Sequence, residues 1–396
     1  MTAFSAFVGH VARGEEAFGG GSEMDLWNTA RELSRFPDIE VRLLTFAVPS
    51  ASGSHDCGNV IFSKVMPPAA GGYSARACQR LSMLAFYLRL FRKLLFVPAD
   101  IFYAKLASVE TLLVFLVGRV RRVPVCFRLS HDIETDEMRL RDQIFRGNSW
   151  LSKYFINCLK SAAAVVCQKP SQAAALKPFG VPNLTVIGNA HAFEQSENVP
   201  PAGERDLVLW VGRCHPLKRP LEFVTLARRL PHRQFALVLA PTNYPGAQEI
   251  FTTVEAASRD LENLRFIPGA SKADLAPLYL RGRVFVLTSE AEGFPNVVIE
   301  AFKYGVPVVS DTLDLDGLLP TATDRVSQLS PASGFCVAGN PEMMDQVVER
   351  LMHDDGWWSA CSEQGRRYAA ETFDARRIAE QYRHLFQSLA VGGARC

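Results

Sequence analysis

Two carboxylates, Glu292 and Glu300, stand with seven residues between them around a predicted junction of a strand and a helix. Glu292 falls in the loop after the apolar run at residues 284–288, and Glu300 falls early in the helix that follows. In open α/β sheets, loops at the carboxyl ends of parallel strands bind ligands, and a helix N-terminus there attracts phosphate. Carboxylates on either side of such a phosphate cradle are suited to sugar hydroxyls and a ribose diol, which predicts a nucleotide-sugar site.

A simpler interpretation is that both carboxylates only favour the helix dipole, as acidic residues near helix starts commonly do. The residues between them favour the functional interpretation. Gly293, Pro295 and Asn296 are typical of a tight turn into a helix. The backbone N–H groups of this turn, over residues 294–297, are therefore candidates for holding a phosphate.

Two cations, Arg213 and Lys218, follow the first predicted strand of the second half of the chain, directly after Gly212. Negative charge gathers on a diphosphate as it leaves, and preorganised cations stabilise that charge. An arginine binds two phosphate oxygens at once, whereas a lysine acts as a point charge. The alternative is a solvated basic turn that only precedes a helix.

The bulk properties are those of an ordinary globular protein of two domains, with 396 residues, 48% hydrophobic and 21% charged. A net charge of +2 makes no case for nucleic acid as a partner. The nine cysteines lack the spacing of a zinc site and fit a reducing compartment. Without a signal peptide or a run of about 20 apolar residues, we expect a cytoplasmic protein.

Short β-branched runs alternate with helical periodicity, which predicts parallel α/β domains. A polar, proline-containing stretch at residues 194–201 is typical of a linker and separates two predicted halves. Helices are predicted at 25–35, 221–229, 341–353 and, near the C-terminus, 372–386. The predicted strands are 5–8, 41–46, 101–104, 123–128, 164–168, 184–187, 207–211, 234–240, 264–268, 284–288 and 307–310.

Two features of the first half are further candidates. Gly20 and Gly21 lie between the first predicted strand and the first helix, where glycines let a backbone approach a ligand closely. A flexible turn is the simpler interpretation, and the spacing is not that of a dinucleotide fingerprint. His131 ends a predicted strand, where it either faces a ligand or is an ordinary polar side chain at the rim.

Residues 289–311 resemble the signature of the retaining nucleotide-sugar glycosyltransferases of the "glycosyl transferases group 1" type (family four), which have the GT-B fold. The resemblance rests on Glu292, Glu300 and the Gly-x-Pro-Val-Val strand that begins at Gly305. It extends to Gly212, Arg213 and Lys218, which match the family's Gly-Arg, four residues, Lys.

The resemblance implies two Rossmann-like parallel-sheet domains that face each other across a cleft, with a C-terminal helix crossing back to the first domain. We place the acceptor-side domain at 1–195, the donor domain at 203–372 and the crossover helix and tail at 373–396. The implied reaction moves a sugar from a nucleotide-diphosphate sugar, with UDP or GDP, to a glycan or a lipid-linked acceptor in polysaccharide biosynthesis, with retention.

The resemblance also implies roles for particular residues. Arg213 and Lys218 would neutralise the diphosphate, Glu300 would hold the ribose, and Glu292 would bind the donor sugar. His131 and the glycine loop would complete the site from the first domain. No metal and no cofactor other than the donor is expected. Donor contacts are assigned to Gly20, Gly21, Gly212, Phe294, Pro295, Asn296, Val297 and Glu300.

Departures from the family pattern lie at Asn189, which lacks the usual flanking Pro and Gly, and after Asp311. Two other functions remain open. A nucleotide-sugar 2-epimerase-like isomerase would turn over the donor without an acceptor. A non-catalytic GT-B scaffold would be expected to have lost Arg213, Lys218 or one of the two glutamates, and this chain retains them.

The segment at residues 76–96 is predicted to be a basic amphipathic helix. Its apolar stripe consists of Ala77, Leu81, Leu84, Leu88, Phe91 and Leu95. The simpler interpretation turns this stripe to the core and leaves a solvated basic face. The alternative is a dock on an anionic lipid surface, which would place the protein peripherally on the inner face of the plasma membrane.

Overall fold

The computed structural model describes residues 1–6, 8–12, 21–46, 59–68, 76–193, 199–242, 244–313, 315 and 334–393. The chain forms two compact units. The first unit comprises Met1–Ala192 and Ala375–Cys396, and the second comprises Phe193–Asp374. The C-terminal helix therefore belongs to the first unit, although the second unit precedes it in the sequence.

In the first unit the described residues form a seven-stranded parallel sheet. Its strands are β1 (Thr2–Phe4), β2 (Arg42–Thr45), β3 (Ile61–Lys64), β4 (Phe102–Lys105), β5 (Val125–Arg128), β6 (Ala164–Cys167) and β7 (Leu184–Val186). Its helices are α1 (Val8–Ala12), α2 (Gly21–Leu33), α3 (Arg76–Phe96), α4 (Val109–Arg121), α5 (Glu137–Arg139), α6 (Ser149–Lys160), α7 (Pro170–Leu176) and α14 (Ala375–Gly393).

The order of these strands is β3-β2-β1-β4-β5-β6-β7. Successive strand residues pack on opposite sides of the sheet, as the two-residue period of a strand requires. Phe102 and Phe127 pack with α3, α4 and α6, while Tyr103 and Cys126 pack with α1, α2 and α14. Each side of the sheet is therefore covered by its own helices.

In the second unit the described residues form a six-stranded parallel sheet of order β10-β9-β8-β11-β12-β13. Its strands are β8 (Leu207–Arg213), β9 (Gln234–Ala240), β10 (Leu264–Ile267), β11 (Gly282–Leu287), β12 (Val308–Ser310) and β13 (Phe335–Val337). Its helices are α8 (Pro220–Arg229), α9 (Ala247–Arg259), α10 (Lys272–Arg281), α11 (Asn296–Lys303), α12 (Pro341–His353) and α13 (Asp355–Phe373).

In both sheets the order in which strands are added reverses at a topological switch point, where successive connections leave to opposite sides. It lies between β1 and β4 in the first unit and between β8 and β11 in the second. Ligands of doubly wound folds bind beyond the carboxyl ends of the strands at this point. The loops after β8 and β11, which carry the predicted cations and carboxylates, are therefore neighbours.

Three predictions about elements were wrong or incomplete. The predicted strand at 5–8 is wrong, because the strand is Thr2–Phe4 and a helix begins at Val8. A short apolar run does not distinguish a strand from a buried helix start. The strands β3 and β13 were missed, and both lie at sheet edges. The single predicted helix at 372–386 is interrupted at Asp374, between α13 and α14.

The core-facing interpretation of the apolar stripe on α3 holds only for its C-terminal part, where Phe91 and Leu95 pack against the core. Leu81, Leu84 and Leu88 are exposed, and the core is contacted instead by Phe86 and Leu90, with Leu94 one turn further on. The helix therefore has two apolar faces, of which one remains at the surface. Among the described residues, no helix combines the length and the apolarity that crossing a bilayer needs.

Candidate functional site

The candidate site is the carboxyl edge of the second sheet at its switch point. Strand β8 ends at Arg213, whose side chain is exposed and has no ion pair with another described residue. The loop that follows turns through a short 3-10 segment at Pro216–Lys218 and enters α8 at Pro220. The loop after β11 carries Glu292 and leads into α11.

Lys218 and Glu292 come together across these two loops, although they are far apart in the sequence. The Lys218 Nζ donates to the Glu292 Oε1 in a partly buried ion pair. This pair places a cation beside a carboxylate at the mouth of the switch point. Such an arrangement can bind a group that is anionic on one side and hydroxylic on the other.

Three hydrogen bonds hold the two loops against each other. The Thr288 hydroxyl donates to the Lys218 carbonyl at 2.6 Å and accepts from the Trp210 indole N–H at 2.9 Å. The Glu290 N–H donates to the Leu217 carbonyl at 2.8 Å. The position of Lys218 is therefore set by both strands. The sequence analysis missed Thr288 and Trp210. The one available signal was Trp210, because a buried indole N–H needs a hydrogen-bond acceptor.

Gly212 has a packing reason to be glycine. A Cβ at this position would lie 2.6 Å from the Trp210 ring. That Gly212 contacts the donor remains a prediction, because the absence of a side chain is already explained by the Trp210 ring. The same indole donates to Thr288, so Gly212 acts on the position of the Lys218 loop through Trp210.

A second ion pair joins the loop after β8 to the residue that follows β12. Arg219 lies in the left-handed region, with a φ of 49°, and its guanidinium pairs with Asp311 at 2.7 Å. Asp311 follows β12, and its N–H donates to the Leu287 carbonyl at 2.9 Å. Arg219 and Asp311 thus connect the loops after β8 and β12. Sequence reasoning assigned neither a part in the site.

Glu300 lies on α11 and accepts from the Tyr279 hydroxyl at 3.5 Å. Burial, and then the Glu300 carboxylate, raise the pKa of Tyr279 well above its ordinary value, so this phenol stays a neutral donor. The Tyr279 ring stacks on Tyr304 at 5.3 Å. This contact supports the side chain that orients Glu300.

The turn into α11 is buried at Phe294 and Pro295 and half-buried at Asn296 and Val297. Pro295 is the N-cap and supplies no side-chain cap, so the helix start relies on other acceptors for its N–H groups. The Phe294 ring packs on Phe373 at 4.5 Å. That these residues contact the donor remains a prediction, because this packing does not test it.

In the first unit, His131 follows β5 and is the N-cap of a 3-10 turn, with its Nδ1 accepting from the Ile133 N–H at 3.3 Å. The backbone around it is held by Glu134, which accepts from the N–H groups of Ala107, Ser130 and His131. Burial raises the pKa of Glu134 to about 7. Sequence reasoning missed Glu134.

The switch point of the first unit contains a buried charged cluster that the sequence did not reveal. Asp25 on α2 pairs with Lys105 and with Arg128, and it also accepts from the Ala190 N–H at 2.6 Å. Burial acts to raise the pKa of Asp25, but Arg128 and Lys105 hold it below its ordinary value. Gly21 begins α2, whereas Gly20 lies outside the described residues.

Arg128 is fully buried and ties the C-terminal helix to the sheet. Its guanidinium donates to the Tyr382 hydroxyl at 2.6 Å, the Ile187 carbonyl at 3.0 Å and the Asn189 Oδ1 at 2.7 Å. Asn189, which departs from the family pattern in its neighbours, therefore has a structural partner. Among the described residues, no cluster of three or more His, Cys, Asp or Glu could hold a metal ion.

The fold matches solved GT-B glycosyltransferases. The structure of HepE from Anabaena in complex with UDP-glucose superposes with a TM-score of 0.71, at 16% identity, covering 98% of this chain and 99% of that one. Sucrose-phosphate synthase from Thermosynechococcus elongatus gives a TM-score of 0.71 at 17% identity and covers 99% of each chain. At these identities the likeness establishes the fold, which is GT-B.

Residues 192–368, which make up nearly all of the second unit, match the family model "Glycosyl transferases group 1". Similar curated proteins include the D-inositol 3-phosphate glycosyltransferase of Frankia alni, which is 32% identical over 199 residues, 47% of each chain. The enzyme of the same name from Salinispora arenicola is 30% identical over 41% of this chain and 37% of that one. The chain thus matches about half the length, or less, of these relatives.

Proposed function

We propose that this protein transfers a sugar from a nucleotide-diphosphate sugar to an acceptor hydroxyl. The observation that carries the proposal is the meeting of Lys218 and Glu292 at the switch point of the second sheet, on the loops after β8, which ends at Arg213, and after β11. This reaction requires cations that bind the diphosphate and a carboxylate that binds sugar hydroxyls. The family match of the same segment supports it.

In the proposed mechanism, Arg213 and Lys218 hold the diphosphate and stabilise the charge that gathers on it. The bond from the anomeric carbon to the β-phosphate oxygen breaks, and a bond to the acceptor oxygen forms. The acceptor proton passes to the leaving phosphate, as the family resemblance implies. Glu292 accepts hydrogen bonds from sugar hydroxyls, and Glu300 accepts from the ribose.

Retention of the anomeric configuration and independence from metal are parts of the proposal. Retention rests on the resemblance to the group 1 enzymes. Metal independence rests on the two cations of the β8 loop, which occupy the place that a divalent ion would otherwise fill. His131, Gly20 and Gly21 are also proposed as donor contacts, on the family resemblance alone.

UDP is the nucleotide we propose first, with GDP as the alternative. Solved structures of the same fold include HepE with UDP-glucose and with UDP, which supports a uridine donor. The acceptor is proposed to be a glycan or a lipid-linked sugar. Because the curated relatives are named for D-inositol 3-phosphate, that compound belongs among the acceptors tested.

The first experiment is calorimetric titration of UDP, GDP, ADP and CMP into the purified protein and its Arg213→Ala variant. One diphosphate should bind, and losing a charge-assisted contact should weaken it about 10- to 100-fold. Arg228→Ala removes a neighbouring exposed arginine on α8 and should change nothing. Absence of binding by all four nucleotides would favour the scaffold alternative.

Turnover separates transfer from isomerisation. With the donor that calorimetry selects, release of the diphosphate should require an acceptor, and proton NMR of the product should show the donor's anomeric configuration. Conversion of the donor sugar without any acceptor would support the epimerase-like alternative. Retained activity in EDTA would agree with the metal-independent mechanism, and its loss would contradict it.

A further inference from the structure

The first unit carries an unusual surface on one side of its sheet. Helices α3, α4 and α6 pack side by side there and share one hydrophobic core. We call their outward surface the α3–α4–α6 face. Large apolar side chains that are exposed on these helices are Leu81, Leu84, Leu88, Phe96, Val109, Leu116, Val120 and Trp150.

The main apolar patch of this face is on α3. Leu81, Leu84 and Leu88 are 66%, 55% and 60% exposed, and Phe96 further along the helix is 74% exposed. Residues three and four positions apart lie on one side of a helix, so the leucines form a continuous patch. Single exposed leucines are ordinary, whereas a continuous apolar patch marks an interaction surface.

The same face is strongly basic. Helices α3, α4 and α6 contain nine basic residues and one acidic residue, Glu110. Arg80, Arg89, Arg92 and Lys93 on α3 are exposed, and none has an ion pair with another described residue. The chain as a whole has a net charge of only +2, so the positive charge is concentrated here.

We propose that the α3–α4–α6 face docks the protein onto an anionic lipid bilayer. Leucines from the patch enter the boundary between headgroups and acyl chains, as in helices that lie in the membrane plane. The long arginine and lysine side chains beside them reach the headgroup phosphates. The proposal does not depend on the proposed reaction, since no residue of the second unit takes part.

Two other occupants fit the face less well. A second copy of the chain would bring two strongly positive faces together in a symmetric dimer, and like charges would repel. A soluble polyanion such as nucleic acid would use the cations but would leave the leucine patch exposed to water. An anionic bilayer satisfies both the charge and the apolar area.

The test is co-sedimentation of the full chain with vesicles of phosphatidylcholine alone or mixed with phosphatidylglycerol. The wild type should sediment with the mixed vesicles and stay largely in solution with the uncharged ones, and added salt should weaken binding. Equal sedimentation with both vesicles, or with neither, would overturn the proposal.

The cations are tested by the double variant Arg92→Gln, Lys93→Gln. Each exposed cation near an anionic surface contributes about fivefold in affinity, so the pair should lose about 25-fold. The double variant Arg228→Gln, Arg265→Gln removes the same charge from exposed positions of the second unit and should bind like the wild type. Equal losses in the two variants would indicate a nonspecific charge effect and overturn the assignment.

The apolar patch is tested by Leu84→Gln, Leu88→Gln, which should weaken vesicle binding by about tenfold or more. The matched control, Met138→Gln, Leu221→Gln, changes exposed apolar residues outside the face and should have no effect. Because all four positions are exposed, both variants should fold, which circular dichroism checks. Unchanged vesicle binding in the leucine variant would overturn insertion of the patch and would mean that charge alone holds the protein, as it would hold any polyanion. A dimer lost in that variant, without vesicle binding by the wild type, would overturn the proposal in favour of self-association.

Discussion

The two units share a doubly wound sheet but use its switch point differently. In the first unit the charged side chains there are buried, with Asp25 2%, Lys105 6% and Arg128 0% exposed. In the second unit Lys218 is 21% exposed and Glu292 10%, with Arg213 at the surface. The same topology thus holds all three charged groups inside one unit, whereas in the other Arg213 and part of Lys218 reach the surface and Glu292 is nearly buried.

The two units also differ in how much apolar area they expose, and here the first unit exposes more. Among the described residues, thirteen exposed large apolar side chains lie in the first unit and two, Leu221 and Tyr244, lie in the second. A fold therefore does not decide where a protein presents charge and where it presents apolar area. Those features follow from which side chains the surrounding loops and helices cover.

The largest effect that would test this comparison is on the stability of the first unit. Asp25→Asn leaves Lys105 and Arg128 buried without a counter-charge, which should cost about 3–5 kcal/mol. Chemical unfolding measures it. Asp345→Asn in the second unit breaks an exposed pair with Arg229 and should cost less than about 1 kcal/mol. Similar losses in both variants would contradict the contrast between the two units.

Glu134 should make the first unit sensitive to pH. Burial raises its pKa from 4.5 to about 7, so the folded state retains a proton that the unfolded state loses. Stability from this group is therefore present below about pH 4.5 and is lost as the pH rises to about 7, by roughly 3 kcal/mol. Melting temperatures across this range measure it. A Glu134→Gln variant with the same pH slope as the wild type would contradict the assignment.

Two glycines provide a matched test of whether a clash in the core changes diphosphate binding. A Cβ would lie 2.6 Å from the Trp210 ring at Gly212 and 2.5 Å from the Val125 Cγ2 at Gly118. Gly212→Ala should cost about 1–3 kcal/mol and should also weaken diphosphate binding, because Trp210 supports the Lys218 loop. Gly118→Ala should leave diphosphate binding unchanged. Calorimetry beside thermal unfolding separates the two effects.

The smallest expected effect is on UDP affinity in a Glu292 variant, where removing a charge should strengthen binding. Its carboxylate shares Lys218 with the incoming diphosphate, so Glu292→Gln should bind UDP up to about fivefold more tightly while transferring sugar more slowly. Glu290→Gln, an exposed neighbour, should do neither. Weaker UDP binding by Glu292→Gln would show that the carboxylate does not compete for Lys218.

Much of the second unit could be predicted from its sequence. Its central strands, such as Gln234–Ala240, are buried apolar runs, and Pro341–His353 has clear helical periodicity with an Asn cap. The edge strand β13 of this unit was missed. In the first unit the edge strand β3 was missed too, because its side chains are mostly half-exposed and lack such a run. The sequence placed Lys218 and Glu292 each after the carboxyl end of a strand, and the sheet order then showed that these two strands are neighbours.

The sequence alone determined the parallel α/β class, the cations after β8 and the carboxylates around α11, because these depend on local periodicity and on strand ends. The tertiary structure decided what depends on partners distant in the sequence. It paired Lys218 with Glu292, buried Arg128 against Tyr382, and turned Leu84 and Leu88 outward although their spacing fits a core. A helix with two apolar faces can bury only one against its own sheet, and the neighbouring elements decide which.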